Sequence, residues 1–267
     1  MKFAMTIAGS DSSSGAGIQE DLKTCSALGV YCFTVITSIT AHNTYQVTAI
    51  HDVPAHIVEK QIDAIMADFN LTYGKTGMLS NREIVKSVAK KIEEYGLKIV
   101  VDPVMVSKSG ALLLKKNAVE ALKNEIIPRS FFITPNIDEA SRLTGKTIKS
   151  VKEMEIAAEI IYDLGAKYVI LKGGHLEGKY VTDIFYDGKI MKKFKYRKIE
   201  TKNTHGAGCT LSSAIVSYLS MYQDPMKSFS LARKFMQKTI EHSLSIGHGN
   251  GPLNPFYRIW KNAEGEI

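Results

Sequence analysis

The chain has 267 residues, 45% hydrophobic and 23% charged, which fits one sizeable globular domain with a full core rather than two. Its formal charge of +7 permits a polyanionic ligand without demanding nucleic acid, since the densest basic block, 192–198, alternates like the solvated face of a strand. No apolar run is long enough to cross a bilayer, no signal-like stretch opens the chain, and the three cysteines lack disulfide or zinc spacing. The expectation is a single domain, 1–267, in a reducing cytoplasm, with neither nucleic acid nor membrane as partner.

In chain order, Lys2–Ala8 reads as a buried strand ending at Gly9. After the Ser/Gly-rich loop 10–17 comes a helix with Ile18, Leu22, Cys25 and Leu28 on one face. Gly15-Ala16-Gly17 lacks the third glycine and the acidic partner of a dinucleotide fingerprint. Asp21 lies near the edge of the apolar stripe, either on the surface or turned into a cleft. Val30–Thr40 is β-branched, as in a strand covered on both faces, and it exits into Ala41-His42-Asn43. Helical spacing returns at Ile57, Ile62, Ile65, Met66 and Phe69. A strand at Tyr73–Thr76 delivers Gly77-Met78, and a helix at Glu83–Tyr95 leads into Ile99–Val104, a buried strand interrupted by Asp102. Phe131–Ile133 ends just before Asn136 and Glu139, where a helix begins, and Tyr168–Leu171 ends at Lys172.

Strands alternating with helices at this spacing predict an α/β fold, a doubly wound, mostly parallel sheet flanked by helices. Asp187-Gly188, between Val181–Tyr186 and Lys189–Phe194, predicts a hairpin and hence antiparallel pairing at one edge. In such sheets ligands gather beyond the carboxyl ends of the strands. Gly9, His42, Met78, Asp102, Asn136, Glu139 and Lys172 all fall there.

The stretch Asn203-Thr204-His205-Gly206-Ala207-Gly208-Cys209-Thr210 precedes a helix patterned by Leu211, Ala214, Ile215, Tyr218 and Leu219. A glycine-rich turn opening a helix directs unpaired amides and the positive end of the dipole outward, an anion site suited to phosphate. Cys209 falls in the first turn, where that field is expected to lower the thiol pKa. The competing reading is a tight turn with a space-filling cysteine.

Nearly end to end, the chain resembles the hydroxymethylpyrimidine and phosphomethylpyrimidine kinases of thiamine biosynthesis, within the ribokinase-like superfamily. The resemblance rests on Thr6–Asp11, Gly15–Gln19, Asp21–Thr24, Lys75–Leu79, Asp102–Met105, Lys108–Gly110, Thr134–Asn136 with Glu139, Lys172–His175, Lys202–Leu211 and Gly247–Gly249. It implies ATP as phosphoryl donor, Mg²⁺ as cofactor, a small pyrimidine as substrate and a homodimer. Cys209 would be the general base toward the hydroxymethyl group, with the amides of Gly206, Ala207, Gly208 and Cys209 holding the transferring phosphoryl. Lys172 would meet the ATP phosphates, Thr204, Gly206, Gly208 and Asn136 would contact the nucleotide, and Asn136 with Glu139 would organise Mg²⁺. Lys108 would close over the second phosphorylation. Gly9, Asp21, His42, Met78 and Val104 would receive the ring, Asp21 accepting from its exocyclic amine. His42 stands where these kinases usually carry Gln, which keeps a pyridoxal or pyridoxine kinase open as an alternative. A non-catalytic pyrimidine-binding regulator is the alternative from another class.

Overall fold

In a computed structural model of the chain, residues 1–106, 110, 113–114, 116–174, 176 and 178–263 are described. Nine strands form one sheet: β1 (Lys2–Asp11), β2 (Val30–His42), β3 (Val47–Asp52), β4 (Tyr73–Thr76), β5 (Lys98–Val101), β6 (Ser130–Ile133), β7 (Val169–Leu171), β8 (Tyr180–Tyr186) and β9 (Met191–Arg197). Their order is β3-β2-β1-β4-β5-β6-β7-β8-β9. The six central strands, β2 through β7 in that order, pair in parallel. β8 and β9 pair antiparallel at one edge, and β3 pairs antiparallel with β2 at the other.

The helices are α1 (Gly17–Ala27), α2 (Ala55–Asp68), α3 (Arg82–Glu94), α4 (Lys116–Ala121), α5 (Ile137–Thr144), α6 (Val151–Asp163), α7 (Ala207–Tyr222), α8 (Pro225–Glu241) and α9 (Tyr257–Ala263). They cover both faces of the sheet. One apolar cluster joins Ile7, Ile99 and Leu171 to Ile62 of α2, Val88 of α3 and Ile161 of α6. The other joins Ala4, Val100 and Ile170 to Cys25 of α1, Leu211 and Leu219 of α7 and Phe229 of α8. β1, β5, β6 and β7 are thus buried on both sides, the physical reason their sequences run largely apolar without alternation.

Four local expectations need correction. The second antiparallel edge, β3, has largely exposed side chains, and its Val, Ala and Ile do not alternate strictly with polar residues. β2 is not covered on both faces, since Tyr31 and Ile39 are more than half exposed beside that edge. β5 stops at Val101, and Asp102 begins the loop beyond it rather than interrupting a strand. In α1 the face turned inward carries Glu20, Asp21 and Thr24, while Leu22 is exposed. The basic block does form a solvated strand face: Lys192, Lys193 and Lys195 are exposed on β9. Among the described residues, no helix is long and apolar enough to cross a membrane.

Chain direction in the sheet changes at β1. β2 lies on one side of it and β4, β5, β6 and β7 follow on the other. The loops leaving β1 and β4 therefore diverge and open a crevice at their carboxyl ends.

Candidate active site

A cleft of about 1120 Å³ occupies that crevice and extends along the rim toward β7 and α5. Gly9, Met78, Val104, His42, Asp102, Asn136, Glu139, Lys172, Thr204, Gly206, Ala207, Gly208 and Cys209 all border it. Two expected participants are not among these residues. Lys108 lies outside the described residues. Asp21 lies beneath the cleft in the core, 0% exposed, and does not line it.

Asp21 is fixed by three partners. Lys75 on β4 donates to it at 2.9 and 3.0 Å, Ser213 of α7 donates at 2.7 Å, and Thr6 of β1 donates to its second oxygen. Lys75 is itself fully buried; burial would lower its pKa, but Asp21 and neighbouring groups hold it above the ordinary value. A charged pair this deep is held by its hydrogen bonds, and its position ties α1, β1, β4 and α7 together under the cleft floor. On sequence alone, helix position does not reveal which acidic residue faces inward.

The turn before α7 is built by close packing. Gly206, the residue before the helix, has φ +82°, a left-handed conformation, and an added Cβ would collide with the Gly15 carbonyl. At Gly208 a Cβ would lie 2.8 Å from Asp102 Oδ2 and 3.4 Å from Lys172 Nζ. Glycine there lets a carboxylate and an ammonium approach the helix start from β5 and β7. Among the described residues, the amides of Gly206, Gly208 and Cys209 have no protein acceptor, whereas the Ala207 amide bonds the Thr204 carbonyl at 3.3 Å. Three free donors, not four, border the cleft at the positive end of a helix.

Cys209 does not have the lowered pKa expected from that field. Burial pushes the thiol up to about 12, aided by Asp21 and Asp102, and the opposing Lys75 charge and Gly17 amide do not compensate. The resting side chain is a neutral thiol.

Beside this turn, Lys172 Nζ donates to Asp102 Oδ1 at 3.1 Å. Burial would lower the Lys172 pKa, but Asp102 and Glu139 outweigh it and keep the ammonium charged. Asn136 and Glu139 form a reciprocal cap on α5: Asn136 Oδ1 accepts from the Glu139 amide at 2.9 Å, and Glu139 Oε2 accepts from the Asn136 amide at 2.8 Å. The pair that the resemblance assigns to Mg²⁺ thus forms a helix cap, with one oxygen of each side chain engaged. Burial raises the Glu139 pKa to about 7 despite the facing Lys172, so a further cation would draw it into the ionised form.

Where β1 and β4 end, Gly9 leaves room for Met78, whose sulfur would lie 3.2 Å from an added Cβ. His42 Nδ1 lies 3.4 Å from Asp11 Oδ1, and His205 Nε2 lies 2.8 Å from Asp11 Oδ2. Asp11 and His205 belong to the motifs that carry the resemblance, yet their contact was not foreseen because 194 positions separate them. Burial lowers the His42 pKa, and Asp11 only partly opposes this. Asp102 is the other participant without an assigned role; its place after a buried strand was the available signal.

Free helix-start amides, a charged lysine and paired carboxylates in one cleft of a doubly wound sheet define a phosphotransferase of the ribokinase-like class. Comparison with known proteins specifies it further. A sequence model described as phosphomethylpyrimidine kinase matches residues 11–254, and the chain belongs to that family. It is 46% identical over 263 residues to a hydroxymethylpyrimidine/phosphomethylpyrimidine kinase of Rhizobium meliloti (strain 1021), covering 97% of this chain and 99% of the relative. A crystal structure of phosphomethylpyrimidine kinase from Clostridium difficile 630 superposes with a TM-score of 0.81 at 43% identity, covering 90% of this chain and 100% of that one. An ADP complex of Bacillus subtilis pyridoxal kinase superposes with a TM-score of 0.90 at 36% identity, covering 97% and 99%.

Proposed function

We infer that the chain transfers the γ-phosphoryl group of ATP to the hydroxymethyl group of 4-amino-5-hydroxymethyl-2-methylpyrimidine, and then a second phosphoryl group to the resulting monophosphate. The observation that supports this most is the trio of acceptor-free amides at Gly206, Gly208 and Cys209, with Lys172 and Asp102 drawn against Gly208. Donors fixed before the reaction neutralise charge on a transferring phosphoryl group without reorganising. Lys172 holds a phosphate of the nucleotide, and Thr204 and Asn136 border the same stretch of cleft.

The ring lies among Gly9, Met78 and Val104, with His42 at its edge. In the first step Cys209 removes the hydroxyl proton. Its high resting pKa means that only a small thiolate fraction is competent at neutral pH, so the first step rises with pH. In the second step the nucleophile is an ionised phosphate and needs no base. Lys108 is the cation assigned to that step.

Glu139 and Asp102 fit Mg²⁺, a hard cation that takes oxygen ligands, and both lie against Lys172 where phosphates would arrive. Bound there, the ion would neutralise phosphate charge. We further assign the chain to the cytoplasm and expect a homodimer.

Pyridoxal is the second candidate substrate. The higher TM-score to a pyridoxal kinase and the presence of His42 at the ring end favour keeping it. ADP release with Mg·ATP, measured side by side on the hydroxymethylpyrimidine, its monophosphate and pyridoxal, separates the readings. Turnover of both pyrimidines well above pyridoxal is expected. Preference for pyridoxal overturns the substrate, and pyrimidine binding without ADP release overturns catalysis itself.

A further inference from the structure

Asp11, His42 and His205 come from three separate segments: the end of β1, the end of β2 and the turn before α7. One ligand atom from each lies within 4.8 Å of the others. Two contacts to Asp11 are resolved individually, each to a different carboxylate oxygen: 2.8 Å from His205 Nε2 to Oδ2 and 3.4 Å from His42 Nδ1 to Oδ1. Tetrahedral zinc with Zn–N and Zn–O bonds of about 2.0–2.1 Å holds its ligand atoms about 3.3 Å apart. The cluster brackets that spacing.

We propose that Asp11, His42 and His205 bind one divalent transition-metal ion at the ring end of the cleft. Two imidazoles and one carboxylate suit Zn²⁺, Ni²⁺ or Co²⁺ better than Mg²⁺, which prefers an all-oxygen shell. The ligands are already oriented. Asp11 accepts from the Ser13 amide at 2.8 Å, the Ser13 hydroxyl at 2.7 Å and the Ala16 amide at 2.8 Å. The His42 amide donates to the Ser12 hydroxyl, which donates back to the His42 carbonyl, each at 2.8 Å. The His205 amide donates to the Gly251 carbonyl at 3.1 Å. The bonds to the Asp11 carboxylate fix the orientation of that ligand, and the backbone bonds fix the segments that carry the two imidazoles. Burial keeps His42 toward its neutral, ligating form. His205 presents Nε2 to the ion by carrying its proton on Nδ1, exchanging its hydrogen bond to Asp11 for coordination.

All three residues border the cleft, which supplies water to the remaining coordination positions. On the reading that the ring lies beside His42, the ion and the ring exclude one another. The site would then act as an inhibitory one whose occupancy responds to free transition metal and not to Mg²⁺.

The test is calorimetric titration of tag-free protein with Ni²⁺ and Zn²⁺ in millimolar Mg²⁺, on wild type, His42→Gln and Cys209→Ser. One ion per chain is expected, with affinity at least tenfold weaker in His42→Gln and unchanged in Cys209→Ser. Absence of binding to wild type, equal affinity in His42→Gln, or loss confined to Cys209→Ser each overturns the site. Should His42→Gln fail to fold, histidine ring signals of wild type during Zn²⁺ titration decide: shifts at His42 and His205 support the site, and shifts confined to other histidines overturn it. Binding is read without turnover, so failure here leaves the kinase reading intact.

Discussion

The chain contains the tripeptide Gly-Ala-Gly twice, at 15–17 and at 206–208, and each copy opens a helix at the same end of the sheet. Neither helix has a side-chain cap, unlike α3, α5, α6 and α8, which are capped by Asn81, Asn136, Ser150 and Asp224. The two turns also pack against each other, Gly206 on the Gly15 carbonyl. Their occupants differ. The first turn is filled from within, its Ala16 amide bonded to the Asp11 carboxylate. The second leaves three amides open to the cleft, with Asp102 and Lys172 alongside. A glycine-rich helix start is therefore an external anion site only where the chain's own carboxylates leave it free.

Replacing Lys75, beneath both turns, should have the largest effect. Lys75→Met leaves the Asp21 carboxylate buried beside two hydroxyl donors, and loss of one partner of such a pair is expected to cost about 3–5 kcal/mol. A urea midpoint series should show this, with Asp21→Asn/Lys75→Met recovering much of the loss. A single variant as stable as wild type would detach the pair from the architecture of the turns.

Gly208→Ala fills the second turn with a methyl group at the Asp102 and Lys172 contacts. Both phosphorylations should fall about 100-fold, comparable to losing one oxyanion donor, with little change in thermal midpoint. An unchanged rate would show that the open turn is not where the phosphoryl group passes.

Asp11→Asn, which weakens the occupant of the first turn, should have the smallest effect, about 1–2 kcal/mol. Burial would raise the Asp11 pKa, but the hydrogen bonds from His205 and Ser13 outweigh it and hold it well below the carboxylate range. The sign follows: this stabilisation is complete above the unfolded pKa of about 3.9 and fades as pH falls toward the lower folded value. Wild type should lose stability below about pH 4 more steeply than the variant. Parallel acid profiles would mean that the first turn needs no internal anion.

Much of the architecture was legible because parallel strands buried on both faces announce themselves. Tyr73–Thr76 was read to the residue, and the rim of strand ends placed His42, Met78, Asn136 and Lys172 on one cleft. β3 was not legible because Val47–Asp52 is short and mixes apolar and polar side chains without strict alternation. Asp21 and Cys209 were misread for one reason: sequence gives spacing along a helix but not depth, and burial set both the partners of Asp21 and the protonation of the thiol. The Asp11–His42–His205 cluster draws on segments that local patterning cannot bring together.

The most direct test of the open turn as the site of transfer, with Cys209 as base, is a step-resolved pH profile. It follows phosphorylation of the pyrimidine and of its monophosphate separately, on wild type and Cys209→Ala. With the thiol pKa raised to about 12, the thiolate fraction grows throughout the range above neutrality. The first step should therefore climb roughly tenfold per pH unit from about 7.5 to 9, while the second stays level because the phosphate nucleophile, with its second pKa near about 6, is already ionised. Cys209→Ala should abolish the climb and cut the first step about 100-fold or more, sparing the second. Parallel profiles for the two steps, or equal losses in the variant, would contradict the account.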